Sequence, residues 1–259
     1  MPRTGFQAEV NGFAFVNSWQ LDKGESDHMR QTLTGSAGQA SNSAAGGLGG
    51  LLSNRIAPQL EEWIDAALPD YYGMCGGMAF AAADHFAAGV PLPRGRGYDD
   101  IPQDSTPHGR ALRDYLWERQ IQSLQLNAPQ LLHWMLMLHL PLPFAGPGWL
   151  LDRAREEWAE LKRHIDTGHP WPLCLIGSSI SPFDNHQVLA TGYDDHGDGT
   201  GVIYVYDMNS PGKEQTITID TRFGQLAAVE SVPNAERGPL RAFFCERYEP
   251  APPPTLPDA

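Results

Sequence analysis

Three residues far apart in the chain are of the types that acyl transfer through sulfur requires: Cys75, His186 and Asp207. Cys75 stands in YYGMCGGMAFAAADHF, residues 71–86, after a Gly-Met step and before two glycines and a run of small apolar residues. That pattern reads as the start of a buried helix. The first N–H groups of a helix have no partner within it, and the positive end of the macrodipole lies there, so a thiolate is favoured at this place. The flanking glycines, Gly76 among them, let a substrate approach the backbone and offer N–H groups to an oxyanion. Taken alone, Cys75 reads better as a small buried hydrophobe, as most free cysteines are.

His186 opens the β-rich run NHQVLATGYD, and Asp207 closes the next one, GVIYVYD, with a Gly- and Asp-rich turn between them. Antiparallel pairing across that turn sets the start of the first strand beside the end of the second, so both side chains reach the same end of the sheet. A carboxylate there holds the imidazole tautomer and supports the imidazolium, leaving the other ring nitrogen to face a thiol. A structural His–Asp pair fits the two strands as well. The helix-leading Cys75 is what favours catalysis.

The elements that must position these residues divide into a helical part and a β part. Residues 6–19 alternate aromatic and polar positions around Asn11-Gly12 and predict a short hairpin. Residues 32–52 are rich in Gly, Ser and Ala and predict a mobile loop, closing an N-terminal region over 1–54. A helical lobe follows over 55–170. Its segments are APQLEEWIDAAL, ending before Pro69; the Cys75 helix, closed by Gly89; HGRALRDYLWERQIQSLQL; the apolar PQLLHWMLMLHL; and an amphipathic helix stopped by Gly168. After Pro170 short β-rich runs separated by turn residues make an antiparallel β lobe over 171–249. A Pro-rich tail, 250–259, is expected to be extended and frayed. The fold class is α+β.

The 259 residues suffice for one large domain with a sizeable core. With 18 basic against 31 acidic residues the chain carries −13 at neutral pH. This argues against nucleic acid and anionic membranes as partners. No apolar run reaches the roughly 20 residues of a membrane span, and the N-terminus lacks a signal-peptide layout. The three cysteines, Cys75, Cys174 and Cys245, form no Cys-x-x-Cys pair. A reduced, cytoplasmic setting is therefore expected. No cofactor or metal is called for. Residues 194–199 have Asp at spacings of a calcium loop but lack its closing acid, and His133 and His139 are six apart on an apolar helix, which does not align two ligands. The tryptophans Trp63, Trp117, Trp134, Trp149 and Trp158 read as core and groove walls.

GMCGGMAF, NHQVLATGYD and VYDMNSPG together resemble the papain-like cysteine peptidase superfamily, and most nearly its branch of bacterial double-glycine leader peptidases. The likeness covers roughly residues 69–220, and its motifs are short. It implies a helical lobe led by the nucleophile, a β lobe carrying His and then Asp or Asn, and an interlobe cleft for a peptide or other amide. By resemblance Cys75 is the nucleophile, His186 the general base and acid, and Asp207 the orienting residue. Asn209 is the rival third member, because papain uses Asn. Such peptidases usually carry a Gln about half a dozen residues before the Cys as an oxyanion donor; here LPDYYGMC has Pro69 and Asp70 but no Gln. Asn17 is the expected substitute, with Gln20 behind it, on the ground that Phe13 and Phe15 anchor the N-terminal segment near the nucleophile. The expected activity is amide cleavage through a thioester. Transfer of the acyl group to an amine, by a papain-like or a transglutaminase-type enzyme, and a non-catalytic binding protein of the same fold are the alternatives.

Overall fold

Helices pack on both faces of one antiparallel sheet in the computed structural model, which describes residues 1–45, 58, 60–62, 64, 71–140 and 145–258. The sheet comprises β3 (Trp171–Ile176), β4 (His186–Asp195), β5 (Thr200–Tyr206), β6 (Glu214–Asp220), β7 (Ala227–Glu230) and β8 (Ala242–Cys245). Their spatial order is β7-β6-β5-β4-β3-β8, and every neighbouring pair is antiparallel. β7 is four residues long with one β-branched residue, too short to stand out in the sequence.

The two faces follow from the period of two along each strand. Leu173, Leu175, Val188, Ala190, Ile203 and Val205 face α5 (Pro147–Asp166), which buries Leu151, Ala154, Trp158, Leu161 and Ile165 against them. The other face meets α3 (Cys75–Ala88) through Leu189 and Tyr206, and α4 (Pro107–His139) through Cys174, Ile176 and Phe244. α3 is buried along most of its length and ends at Gly89, whose φ of 65° is the left-handed conformation that terminates helices.

Four expectations need correction. Residues 6–19 are no hairpin: Ala8–Asn11 form the single-turn helix α1, and the chain then runs irregularly to β1 (Trp19–Gln20). β1 pairs with β2 (Tyr71–Tyr72), just ahead of Cys75, so the aromatic residues found a distant partner in place of a local one. The expected loop over 32–52 is helical as far as it is described, within α2 (Lys23–Ala45). Its small residues are the reason: Ala37, Ala40 and Ala44 let α2 lie close along Leu124, Ala128, Leu132 and Leu136 of α4. Residues 46–52 lie outside the described residues.

The two helices expected around Pro129 are one, α4. An internal proline costs about 3 kcal/mol, but Leu124, Ala128 and Leu132 form a continuous buried stripe across it, and its burial outweighs that cost. The tail is extended but anchored: the Ala251 N–H donates to Asp84 (3.0 Å), and His108 Nδ1 meets the Pro257 carbonyl (2.8 Å). Asp84, inside α3, also accepts from Tyr248 (2.6 Å), Tyr115 (3.0 Å) and Arg119 (3.0 Å). Of the segment expected to be helical before Pro69, Leu60 and Ile64 are buried with α2 and α4; Trp63, Ala67, Pro69 and Asp70 lie outside the described residues. No helix among the described residues is long and apolar enough to cross a membrane.

Candidate active site

Cys75 is the first residue of α3, and its N-cap, Met74, offers no capping side chain. Gln120 of α4 accepts from the Gly77 N–H (2.9 Å), so this donor is taken from within the protein. The glycines admit neighbouring elements: a Cβ at Gly76 would lie 2.0 Å from Gln187 Oε1, and one at Gly77 2.1 Å from the Leu116 carbonyl. They allow α3 to sink against β4 and α4, which is how Cys75 comes to the sheet.

His186 enters β4 from a short 3-10 turn, Pro182–Asp184, capped by Ser181, whose hydroxyl accepts from the Phe183 N–H (3.2 Å). Asn185 holds this approach by accepting from the Gly177 N–H (3.1 Å) and donating to the Pro182 carbonyl (3.2 Å). In the β4–β5 register Leu189 lies opposite Tyr206, so His186 and Asp207 overhang the same end of the sheet. His186 Nε2 lies 2.8 Å from Asp207 Oδ1, which leaves Nδ1 as the ring nitrogen available to the thiol. The imidazole and Cys75 are within hydrogen-bonding reach.

The electrostatics follow from this contact. Burial alone pushes the His186 imidazolium towards deprotonation, but the Asp207 carboxylate and then Cys75 outweigh it and raise the pKa to about 10. Burial likewise pushes the Asp207 carboxyl up, and the imidazolium with the Asn209 N–H (2.8 Å) outweighs it, holding the group below the usual carboxylate value. Among the described residues the other two thiols meet no imidazole. Burial pushes Cys174 well above an ordinary thiol, and burial with Glu157 does the same to Cys245.

Asn209 lies beside the triad cluster, its Nδ2 3.4 Å from His186 Nε2 and its Oδ1 accepting from Asn17 Nδ2 (3.1 Å). Asn17 reaches this place because residues 12–17 are clamped between a loop and the sheet. Ala14 donates to the Arg94 carbonyl (2.7 Å), Val16 to that of Tyr98 (3.0 Å) and Asn17 to that of Met208 (3.2 Å). The Phe13 N–H donates to the Tyr206 hydroxyl (2.9 Å). Phe13 and Phe15 are both 0% exposed, and burial of each contributes on the order of 2–3 kcal/mol, enough to hold the segment. The Asn17 amide lies over Gly73, where a Cβ would come within 2.3 Å of Nδ2. Asn17, Gly73, Cys75, His186 and Asn209 line one cleft of about 760 Å³ of empty volume, rimmed by Asp184 and Glu236. Gln20 lies in β1 and does not line it.

Behind Cys75 lies a buried polar group whose role was not read from the sequence. Cys75 Sγ donates to Gln187 Oε1 (3.7 Å), and Gln187 Nε2 donates to Glu246 Oε1. Two signals point to it: Gln187 adjoins His186, and Glu246 is an acid directly after the apolar run AFFC. The other marked residues are structural. His133 packs edge-on to Trp149, and His139 meets the Ser179 carbonyl (3.0 Å). Asp198 accepts from Thr200 in the β4–β5 turn. Trp134 and Trp158 are buried in core clusters, with Trp117 and Trp149 partly buried against them. Among the described residues no group of three or more His, Cys, Asp or Glu could hold a metal ion.

The chain is thus a mixed α+β protein in which Cys75, His186 and Asp207 form one linked cluster, with Cys75 and His186 lining a cleft, and no family model, curated protein or solved structure matches it.

Proposed function

We propose that this protein is a cysteine hydrolase of papain-like type that cleaves a peptide or other amide bond through a thioester on Cys75. The observation that carries the reading is the His186–Asp207 contact of 2.8 Å beside a cysteine that leads a helix. The Cys75 thiolate attacks the amide carbonyl, forming the C–S bond and an oxyanion. The Cys75 N–H and Asn17 Nδ2 are the two oxyanion donors. His186 Nδ1–H protonates the leaving amine as the C–N bond breaks. The neutral imidazole then takes a proton from water, whose oxygen attacks the thioester; the acid leaves and the thiolate–imidazolium pair is restored. Asp207 keeps the ring oriented and supports its charge throughout.

The carboxylates of Asp184 and Glu236 at the cleft rim favour one second reading, in which a cationic amine replaces water as acceptor. Turnover of an activated acyl donor with and without an added primary amine separates the two by product, acid or amide.

The test of the common step is thiol reactivity. Iodoacetamide at neutral pH, followed peptide by peptide, is expected to label Cys75 well before Cys174 and Cys245. Equal labelling of the three thiols in the folded protein would count against a catalytic cysteine. Asn17→Ala is expected to lower turnover about a hundredfold while leaving Cys75 alkylation and the melting temperature close to wild type. An unchanged kcat removes Asn17 from the oxyanion hole.

A further inference from the structure

Behind the nucleophile, on the face of the sheet that meets α3 and α4, Gln187 bridges Cys75 to Glu246 across β3. Gln187 is 7% exposed and Glu246 2%. They adjoin a narrow cavity walled by Leu33, Leu124, Ala128 and Leu131. Glu246 makes no ion pair among the described residues, and its Oε2 is buried without a partner. A carboxylate so placed is costly, and burial accordingly pushes this carboxyl up to about 8.

A primary amide can present either its N–H₂ or its oxygen to a neighbour. Here the Gln187 N–H₂ faces Glu246 and the oxygen faces Cys75, an arrangement matched to an ionised Glu246 and a neutral thiol. Ser123 serves either arrangement: its hydroxyl donates to the Gln120 carbonyl (2.9 Å) or to Gln187 Oε1 (3.5 Å), and its oxygen accepts from Gln187 Nε2 (3.4 Å). With the amide turned over, one N–H meets Ser123 Oγ, the other meets Cys75 Sγ, and Oε1 accepts from the protonated Glu246 carboxyl.

We propose that Gln187 and Glu246 are positioning residues for Cys75: a protonated Glu246 turns the Gln187 N–H₂ towards the sulfur and favours the thiolate, and an ionised Glu246 turns the oxygen there and favours the thiol. Glu246 exchanges its proton with solvent, and the Cys75 proton moves between the sulfur and the His186 imidazole. The thiols near it are Cys174 on β3, Cys245 beside it on β8, and Cys75 of α3 across Gln187. From α5, Glu156, Glu157, Glu160, Arg163 and His164 line the same groove as Glu246, with Arg247 next to it in the chain, and Glu157 is turned to Cys245. None of them pairs with Glu246 within ion-pair distance, and from α4 it meets only the uncharged Ser123, Asn127 and Gln130.

This inference rests on Cys75 being the nucleophile, and the experiment separates the two. The rate of Cys75 alkylation by iodoacetamide is measured against pH in the full-length protein, with Cys174 and Cys245 as internal references. Wild type is expected to show a fall in Cys75 reactivity, relative to the rise of an ordinary thiol, as pH passes through about 8. In Glu246→Gln the amide N–H₂ donates to Gln187 Oε1 at every pH. The fall should vanish, leaving Cys75 about tenfold more reactive than wild type at pH 9, the worth of one hydrogen bond to a charged group. Gln187→Met, which keeps the volume and removes the amide, should lose the same feature and react about tenfold more slowly at pH 7. If Cys75 reacts no faster than the reference thiols, the nucleophile reading fails. If Cys75 is fast but both variants keep the wild-type pH profile, the relay alone is wrong. Should Glu246→Gln not fold, Gln187→Met and the infrared carbonyl band of a protonated Glu246 in wild type decide the matter; absence of that band at pH 7 overturns the proposal.

Discussion

His186→Ala is expected to lower kcat by roughly 10⁵–10⁶ and Cys75→Ala by about as much, with the double variant losing no more than either alone. The reason is that in the proposed mechanism the two side chains perform one step: the sulfur attacks only as the thiolate that the imidazolium supports, and the leaving amine departs only with the His186 proton. Removing either member forfeits the whole gain, so the free energies do not add. His186→Ala also leaves the largely buried Asp207 without its counter-charge, so its melting temperature should fall, whereas Cys75→Ala removes little more than a sulfur atom from a buried site. Single-turnover measurements with an activated acyl donor on the two single variants and the double variant check this. Losses that multiply in the double variant would show that His186 and Cys75 act independently.

Asp207→Asn is expected to lower kcat by about 10⁴, because an amide does not support the imidazolium and can hold the wrong tautomer. Its pH dependence is the sharper readout. In the wild type the carboxylate raises His186 to about 10, so the final alkaline limb of kcat/KM should lie near there, where the imidazolium loses its proton, beyond the smaller step expected from Glu246 at about 8. Without the carboxylate, burial acts with less opposition and favours the neutral ring. The limb therefore moves to lower pH. The same contact contributes to stability. The raised His186 pKa contributes fully below the unfolded value of about 6.5 and is lost as pH rises through about 10. The lowered Asp207 pKa contributes above about 3.9 and is lost as pH falls through its folded value. The wild-type advantage in melting temperature over Asp207→Asn should thus be greatest between about pH 4 and 6.5 and shrink on either side. An alkaline limb that stays in place would remove Asp207 as the partner and leave the adjacent Asn209 as the orienting side chain.

Much of this site could be read from local pattern. The Gly-flanked cysteine before an apolar run does begin a helix, α3, and the β4–β5 turn does set His186 and Asp207 at one end of the sheet. Both readings rest on forces that act within about twenty residues: an unpaired helix start, and the alternation and turn of a hairpin. The α2 helix escaped the same reasoning because its Ala, Gly and Ser residues have little side-chain area of their own. Their value lies in close approach to α4, which a composition count does not register. The aromatic alternation of residues 6–19 misled for a related reason, since Phe13 and Phe15 bury against α3 and Tyr206 in place of a local strand partner.

The sequence by itself determined the α+β class, the chain order of cysteine, histidine and aspartate, and the helix start that presents the sulfur. These depend on residue type and near-neighbour spacing, which the chain carries in every conformation. Only the tertiary structure decided which side chains surround the sulfur. Asn17 reaches the cleft because loop and sheet backbone groups clamp its segment, and Gln187 meets Glu246 because the antiparallel pairing of β4, β3 and β8 brings them together on one face. Such contacts are set by packing and strand order between segments more than fifty residues apart, and no periodicity along the chain encodes them.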